Sequence, residues 1–181
     1  MRTLLKIVAA LILILAIVTI HLGIVYVLPF PWNKINVIIS AIVLSLLIFE
    51  SGVSVWVTFF VHLFVEVFAP QPFGIIIFSS TIAMLCVYWL YRYLFTNRSL
   101  YSVIVVTAVA LIFYRVLYTT LLMFLSLWRT DIDIPFGNLS ILYTWELILT
   151  TLFSAFLYGL LLMLSTSLRK DKPKKLLWTK V

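Results

Sequence analysis

From Leu4 to Leu28 the chain is apolar almost without interruption, with Lys6, Thr19 and His21 as the main exceptions. A helix needs about 20 apolar residues to cross the hydrocarbon core of a bilayer, so this run is long enough to span one. It is also too long for a secretory signal, whose apolar part covers about 7–15 residues before a small-residue cleavage site. Pro29-Phe30-Pro31-Trp32 closes the run, because proline has no amide to donate within a helix. Trp32 has the amphipathic ring that suits a membrane interface.

The same pattern repeats down the chain. Further helices are expected at about Ile35 to Phe49, Val53 to Phe68, from the Pro70–Gly74 break to Phe95, Tyr101 to Trp128 and Leu139 to Leu168. The second and third are short, near or below a hydrocarbon thickness of about 30 Å, which implies local thinning or burial among longer neighbours. With 65% hydrophobic and 10% charged residues, the chain lies outside the soluble globular class. The expected fold is an all-α, six-transmembrane-helix bundle over residues 1–168, followed by a basic cytoplasmic tail over 169–181. Its core is helix against helix, held by small residues and a few polar bridges.

A formal charge of +7 raises the question of nucleic acid, but the basic residues cluster at the chain ends and in one loop and are not interleaved with aromatics on a soluble face. That distribution is a topology signal, since Lys and Arg collect in cytoplasmic loops. Cytoplasmic termini place Arg2, Arg92, Arg98 and the tail residues Arg169, Lys170, Lys172, Lys174 and Lys175 inside, leaving Lys34 and Arg129 outside. The tail serves first as a topology anchor. The same charges suit anionic headgroups, at about 1 kcal/mol per basic residue, or an acidic cytoplasmic protein.

Ionisable groups within spans cost roughly 2.5–3.5 kcal/mol each at mid-bilayer for Asp, Lys or Arg, and so mark places that use them. Four stand out as a candidate buried polar cluster: His62, Glu66, Arg115 and Glu146. His62 and Glu66 are four apart and share a helix face. Depth along the helices puts Glu66, Arg115 and Glu146 at similar levels, so Arg115 is expected to be bridged by at least one of the two carboxylates. Such a cluster either ties helices together or forms a working site for a ligand, proton or partner. Two potential ligands at helical spacing do not fill a metal coordination shell, so no metal is expected.

Other polar residues have plainer readings. His21 is expected to be a hydrogen-bonded interfacial histidine, Cys86 a small packing residue, and Glu50 a helix-end residue in contact with water. Asp131 and Asp133 read as a solvated loop, with weak cation binding as the alternative. No Gly-x-Ser-x-Gly, His-Glu-x-x-His or phosphate loop is present, so neither enzyme activity nor a cofactor is expected.

The run Phe60-Val61-His62-Leu63-Phe64-Val65-Glu66-Val67-Phe68-Ala69-Pro70-Gln71-Pro72-Phe73-Gly74 resembles the signature of MreD, the rod shape-determining membrane protein family. That family has a helix ending in an acid, usually aspartate, then a short turn, an apolar residue and a glycine that opens the next helix. The corresponding turn here contains Pro70, Pro72, Phe73 and Gly74, and Glu66 takes the place of the aspartate. Thr96-Asn97-Arg98-Ser99-Leu100 is similar to the family's turn after helix four. Arg115 falls about where the family often has an acid, so Glu66 is the position carried over.

The resemblance implies a non-enzymatic scaffold in the bacterial inner membrane, working in peptidoglycan elongation and cell shape. Its partners would be a bitopic MreC-like protein, an MreB-like actin homologue and the peptidoglycan synthases. The family's bundle is also similar to the S component of energy-coupling-factor transporters, which makes capture of a vitamin or other small solute the alternative. A solute binder needs a polar, water-accessible cavity, and its first helix usually carries small residues four apart for docking a transport module. Ala9, Ala10 and Ala16 do not have that spacing, which favours the scaffold.

Overall fold

The computed structural model describes residues 2–94, 99–128 and 136–170. Among these residues the chain forms α1 (Arg2–Val27), a 3-10 turn (Trp32–Lys34), α2 (Val37–Phe49), α3 (Val53–Val67), α4 (Ile75–Leu94), α5 (Leu100–Ser126) and α6 (Phe136–Lys170), with no strand. Four of the helices, α1, α4, α5 and α6, are long and apolar enough to cross a membrane. α2 and α3, at 13 and 15 residues, are not. At roughly 1.5 Å per residue they extend about 20 Å and 22 Å.

Short connections fold α3 against α4, α4 against α5 and α5 against α6, while α2 packs on α1, α3, α5 and α6. This central place explains how so short and apolar a helix is accommodated. Ile38, Val43, Leu46 and Leu47 of α2 are all at most 1% exposed. The helices around it bury small and hydroxyl residues among their large apolar ones, and turn further large apolar residues outward. In α4, Ser79, Ser80 and Ala83 are buried while Phe78 and Trp89 are exposed; in α5, Ser102, Thr107 and Ala110 are buried while Ile112, Phe113 and Val116 are exposed. A soluble protein could not keep that surface in water, but lipid solvates it and leaves close packing of small residues to hold the helices. α1 is the least embedded of the long helices, with Ile14 and Val18 as its buried positions.

Helix ends fall within a few residues of their expected places, and local chemistry explains the differences. α2 starts at Val37, not Ile35, because a 3-10 turn occupies Trp32–Lys34 and the Asn36 side chain accepts from the Ile39 amide at 3.1 Å as an N-cap. At its other end Glu50 is exposed and left-handed (φ 50°), a helix-ending conformation more common for glycine. α5 is capped by Ser99, whose hydroxyl accepts from the Ser102 amide at 3.2 Å. α6 begins at Phe136 and continues to Lys170, past the expected end of the membrane domain at 168 and through the backbone of Arg169 and Lys170. The remaining tail, including Lys172, Lys174 and Lys175, lies outside the described residues, as do Arg98, Arg129, Asp131 and Asp133.

Candidate functional site

The turn after α3 is organised by Glu66. Its Oε1 accepts from the amides of Gly74 at 2.7 Å and Ile76 at 3.0 Å, and its Oε2 accepts from the Ile77 amide at 2.9 Å. These are amides at the start of α4, which have no partner within their own helix. The residue in the cap position, Gly74, has no side chain to satisfy them, so the preceding helix does it. A carboxylate also suits the partial positive charge of a helix N-terminus. Gly74 adopts φ 104°, which L side chains rarely tolerate, and this fixes glycine at the end of the turn. Phe73 and Pro70 beside it are exposed, whereas Pro72 is half-buried. One turn earlier, His62 is buried and its Nδ1 donates to the Thr58 carbonyl at 2.9 Å.

Arg115 pairs with Glu146 and not with Glu66. Its Nε donates to Glu146 Oε2 at 2.6 Å and its Nη2 reaches the same oxygen. The guanidinium is enclosed by three tyrosine rings, with Cζ 5.1 Å, 5.6 Å and 4.8 Å from the centroids of Tyr114, Tyr118 and Tyr143. Such cation–π contacts supply some of the solvation that a partly buried cation loses. The other oxygen of Glu146 accepts from Asn36 Nδ2 at 3.1 Å, and the Asn36 backbone amide donates to Thr150 Oγ1 at 2.9 Å. One turn further in, Ser154 donates to Ser40 at 2.9 Å.

Asn36, Ser40, Thr150 and Ser154 are the residues that reasoning from ionisable groups alone missed. Their signal is in the sequence: Asn36 and Ser40 are four apart, as are Glu146, Thr150 and Ser154, so each set forms a polar stripe on one helix face. α3 carries a third stripe of this kind, Ser54, Thr58, His62 and Glu66, all buried.

His62, Arg115 and Glu146 meet around a cavity of about 230 Å³ at the end of the bundle away from the chain termini. All six helices reach it. Besides these three, its polar wall includes His21 of α1, Asn33 and Lys34 of the 3-10 turn, and Gln71 of the α3–α4 turn. Tyr114 and Tyr118 form an aromatic side. Glu66 is not part of this wall. His21 departs from its expected role: its Nδ1 is buried without a hydrogen-bond partner, as is Asn33 Oδ1. Cys86 departs as well, being exposed on α4 instead of packed. On the lipid-facing side of the Arg115–Glu146 pair lies a larger apolar groove between α5 and α6, about 460 Å³, bordered by Ile112, Val116, Met123 and Leu147.

Compared with protein-family models, curated proteins and solved structures, the chain matches none.

Proposed function

We propose that this protein is an MreD-like, non-enzymatic membrane subunit of the bacterial wall-elongation machinery. In this reading it joins a bitopic MreC-like protein, an MreB-like filament and the peptidoglycan synthases in the inner membrane. The observation that carries the reading is the Glu66 cap. The run that resembles MreD, an acid followed by a short turn and Phe-Gly, is the device that joins α3 to α4, since the acid binds the amides of Gly74, Ile76 and Ile77. A motif with that much structural consequence is what supports the reading.

All six helices enter the bilayer in this proposal, with both termini in the cytoplasm. α2 and α3 are too short to span alone and rely on longer neighbours and a locally thinned membrane. The uncovered apolar length of α1 suits a scaffold, which needs a face for a membrane partner. Affinity purification from native membranes tests the assignment: MreC-like and MreB-like proteins should be recovered with the chain. Recovery of an ATPase module in their place would overturn it.

One observation favours the second reading, S-component-like solute capture. The cavity walled by His21, Asn33, Lys34, Gln71, Arg115 and Glu146 is the polar space such a protein requires. The same purification separates the two assemblies.

A further inference from the structure

We propose that the cavity at the end of the bundle away from the termini binds a small monocarboxylate that brings its own hydrogen-bond donor, such as a hydroxy acid. The inference does not depend on which assembly the protein joins. Space is the first requirement, and about 230 Å³ equals the share of roughly seven or eight water molecules at about 30 Å³ each. That is room for a solute of a few carbons and their polar groups.

Charge is the second. Three formally charged side chains line the cavity: Lys34, Arg115 and Glu146. Glu146 is committed, with one oxygen on Arg115 and the other on Asn36. Lys34 has no carboxylate partner among the described residues, so the wall carries one positive charge in excess. Water solvates such a charge less well inside a protein wall than in bulk, and a single anionic group balances it.

Unfilled hydrogen bonds are the third. His21 Nδ1 and Asn33 Oδ1 are buried and lack partners, and both residues belong to the lining. Buried polar atoms in folded proteins almost always find a partner. An amide oxygen is an acceptor only, so an occupant that reaches it by a small turn of the Asn33 side chain has to donate to it. A halide or a fully ionised diacid cannot, whereas a hydroxy acid can. The rings of Tyr114 and Tyr118 offer flat apolar surface to its carbon skeleton. Gln71 is exposed and Lys34 half-buried, so the mouth lies between the 3-10 turn and the α3–α4 turn.

The test uses the full chain in lipid nanodiscs, titrated calorimetrically with lactate, glycerate and gluconate, with acetate as an acid that brings no donor, and with the matched neutral compounds glycerol and glucose. At least one acid should bind saturably and raise the thermal midpoint with concentration, as a ligand specific to the folded state must. The neutral compounds should not. Lys34→Ala should weaken binding about tenfold or more, the loss expected for one hydrogen bond to a charged group, with the ligand-free midpoint unchanged. Lys34→Arg should retain binding, and Asn33→Ala should lower affinity for hydroxy acids more than for acetate. Binding of none of the acids, equal binding of glucose and gluconate, or affinity indifferent to both Lys34→Ala and Asn33→Ala would each overturn the proposal and leave a water-filled space. Recovery of MreC-like partners without acid binding would sink this site and keep the functional assignment; acid binding together with an ATPase module would do the reverse.

Discussion

Glu66 combines a buried carboxylate and three amide donors with no ion-pair partner among the described residues, and its effect should be visible in single substitutions. Glu66→Ala leaves three donors without their acceptor, one buried and two part-buried, and should cost about 2–3 kcal/mol, measured by reversible unfolding in mixed detergent. Glu66→Gln keeps one carbonyl oxygen and turns an amide group toward the other donors, so its cost should lie between wild type and Glu66→Ala. Gly74→Ala has open space around the new Cβ but meets φ 104°, and should cost about 1–2 kcal/mol through backbone strain alone. Sequence reasoning finds Glu66 because an acid in an apolar helix is expensive, yet it looks for a partner in Arg115. Depth along a helix gives the level of a side chain and not its bearing. The nearest unmet need is local, at the start of α4, only eight residues along the chain.

Between elements, the deciding contact is the pair on α5 and α6. Arg115→Met leaves Glu146, whose side chain is 5% exposed, with Asn36 as its remaining partner, and should cost about 3 kcal/mol. The double variant Arg115→Met with Glu146→Leu removes both charges and should regain most of that loss. A double-mutant cycle on unfolding free energy reads the coupling, and additive costs would show that the pair does not hold α5 to α6. Asn36→Ala removes both the cap on α2 and the bond to Glu146, and should cost about 1–2 kcal/mol. Helix positions are legible from apolar runs and proline breaks to within a few residues, because each is set by nearby sequence. The α2–α6 contacts through Thr150 and Ser154 join residues 114 positions apart, and no local pattern names the partner of a polar stripe.

At the scale of the whole molecule, the described residues form an apolar exterior around a largely apolar helix–helix core that carries a few buried polar stripes, with a short central helix and a cavity formed where the six helices meet. The proposed topology can be read by labelling. In a Cys86→Ser background, Gln71→Cys should react with an impermeant maleimide added outside intact cells, and Arg92→Cys only after the membrane is opened. The opposite pattern would invert the orientation. Composition reveals the membrane class, and the charge distribution suggests an orientation. The cavity is not legible in the same way, because its lining comes from eight separate segments and exists only once they are packed. Lys34, read from sequence as a charge on the outer side, becomes a candidate recognition residue only through that packing.

The joint between α3 and α4 also bears on how the chain could enter a membrane. A carboxylate at position 66 satisfies amides eight to eleven residues later, so the acid of one helix and the open end of the next neutralise each other's cost. Delivered singly, α3 brings an ion into hydrocarbon and α4 brings bare donors; delivered as a hairpin, they bring neither. The two helices are therefore a natural unit of insertion, and a chain halted after α3 should sit less stably in the bilayer than one released after α4.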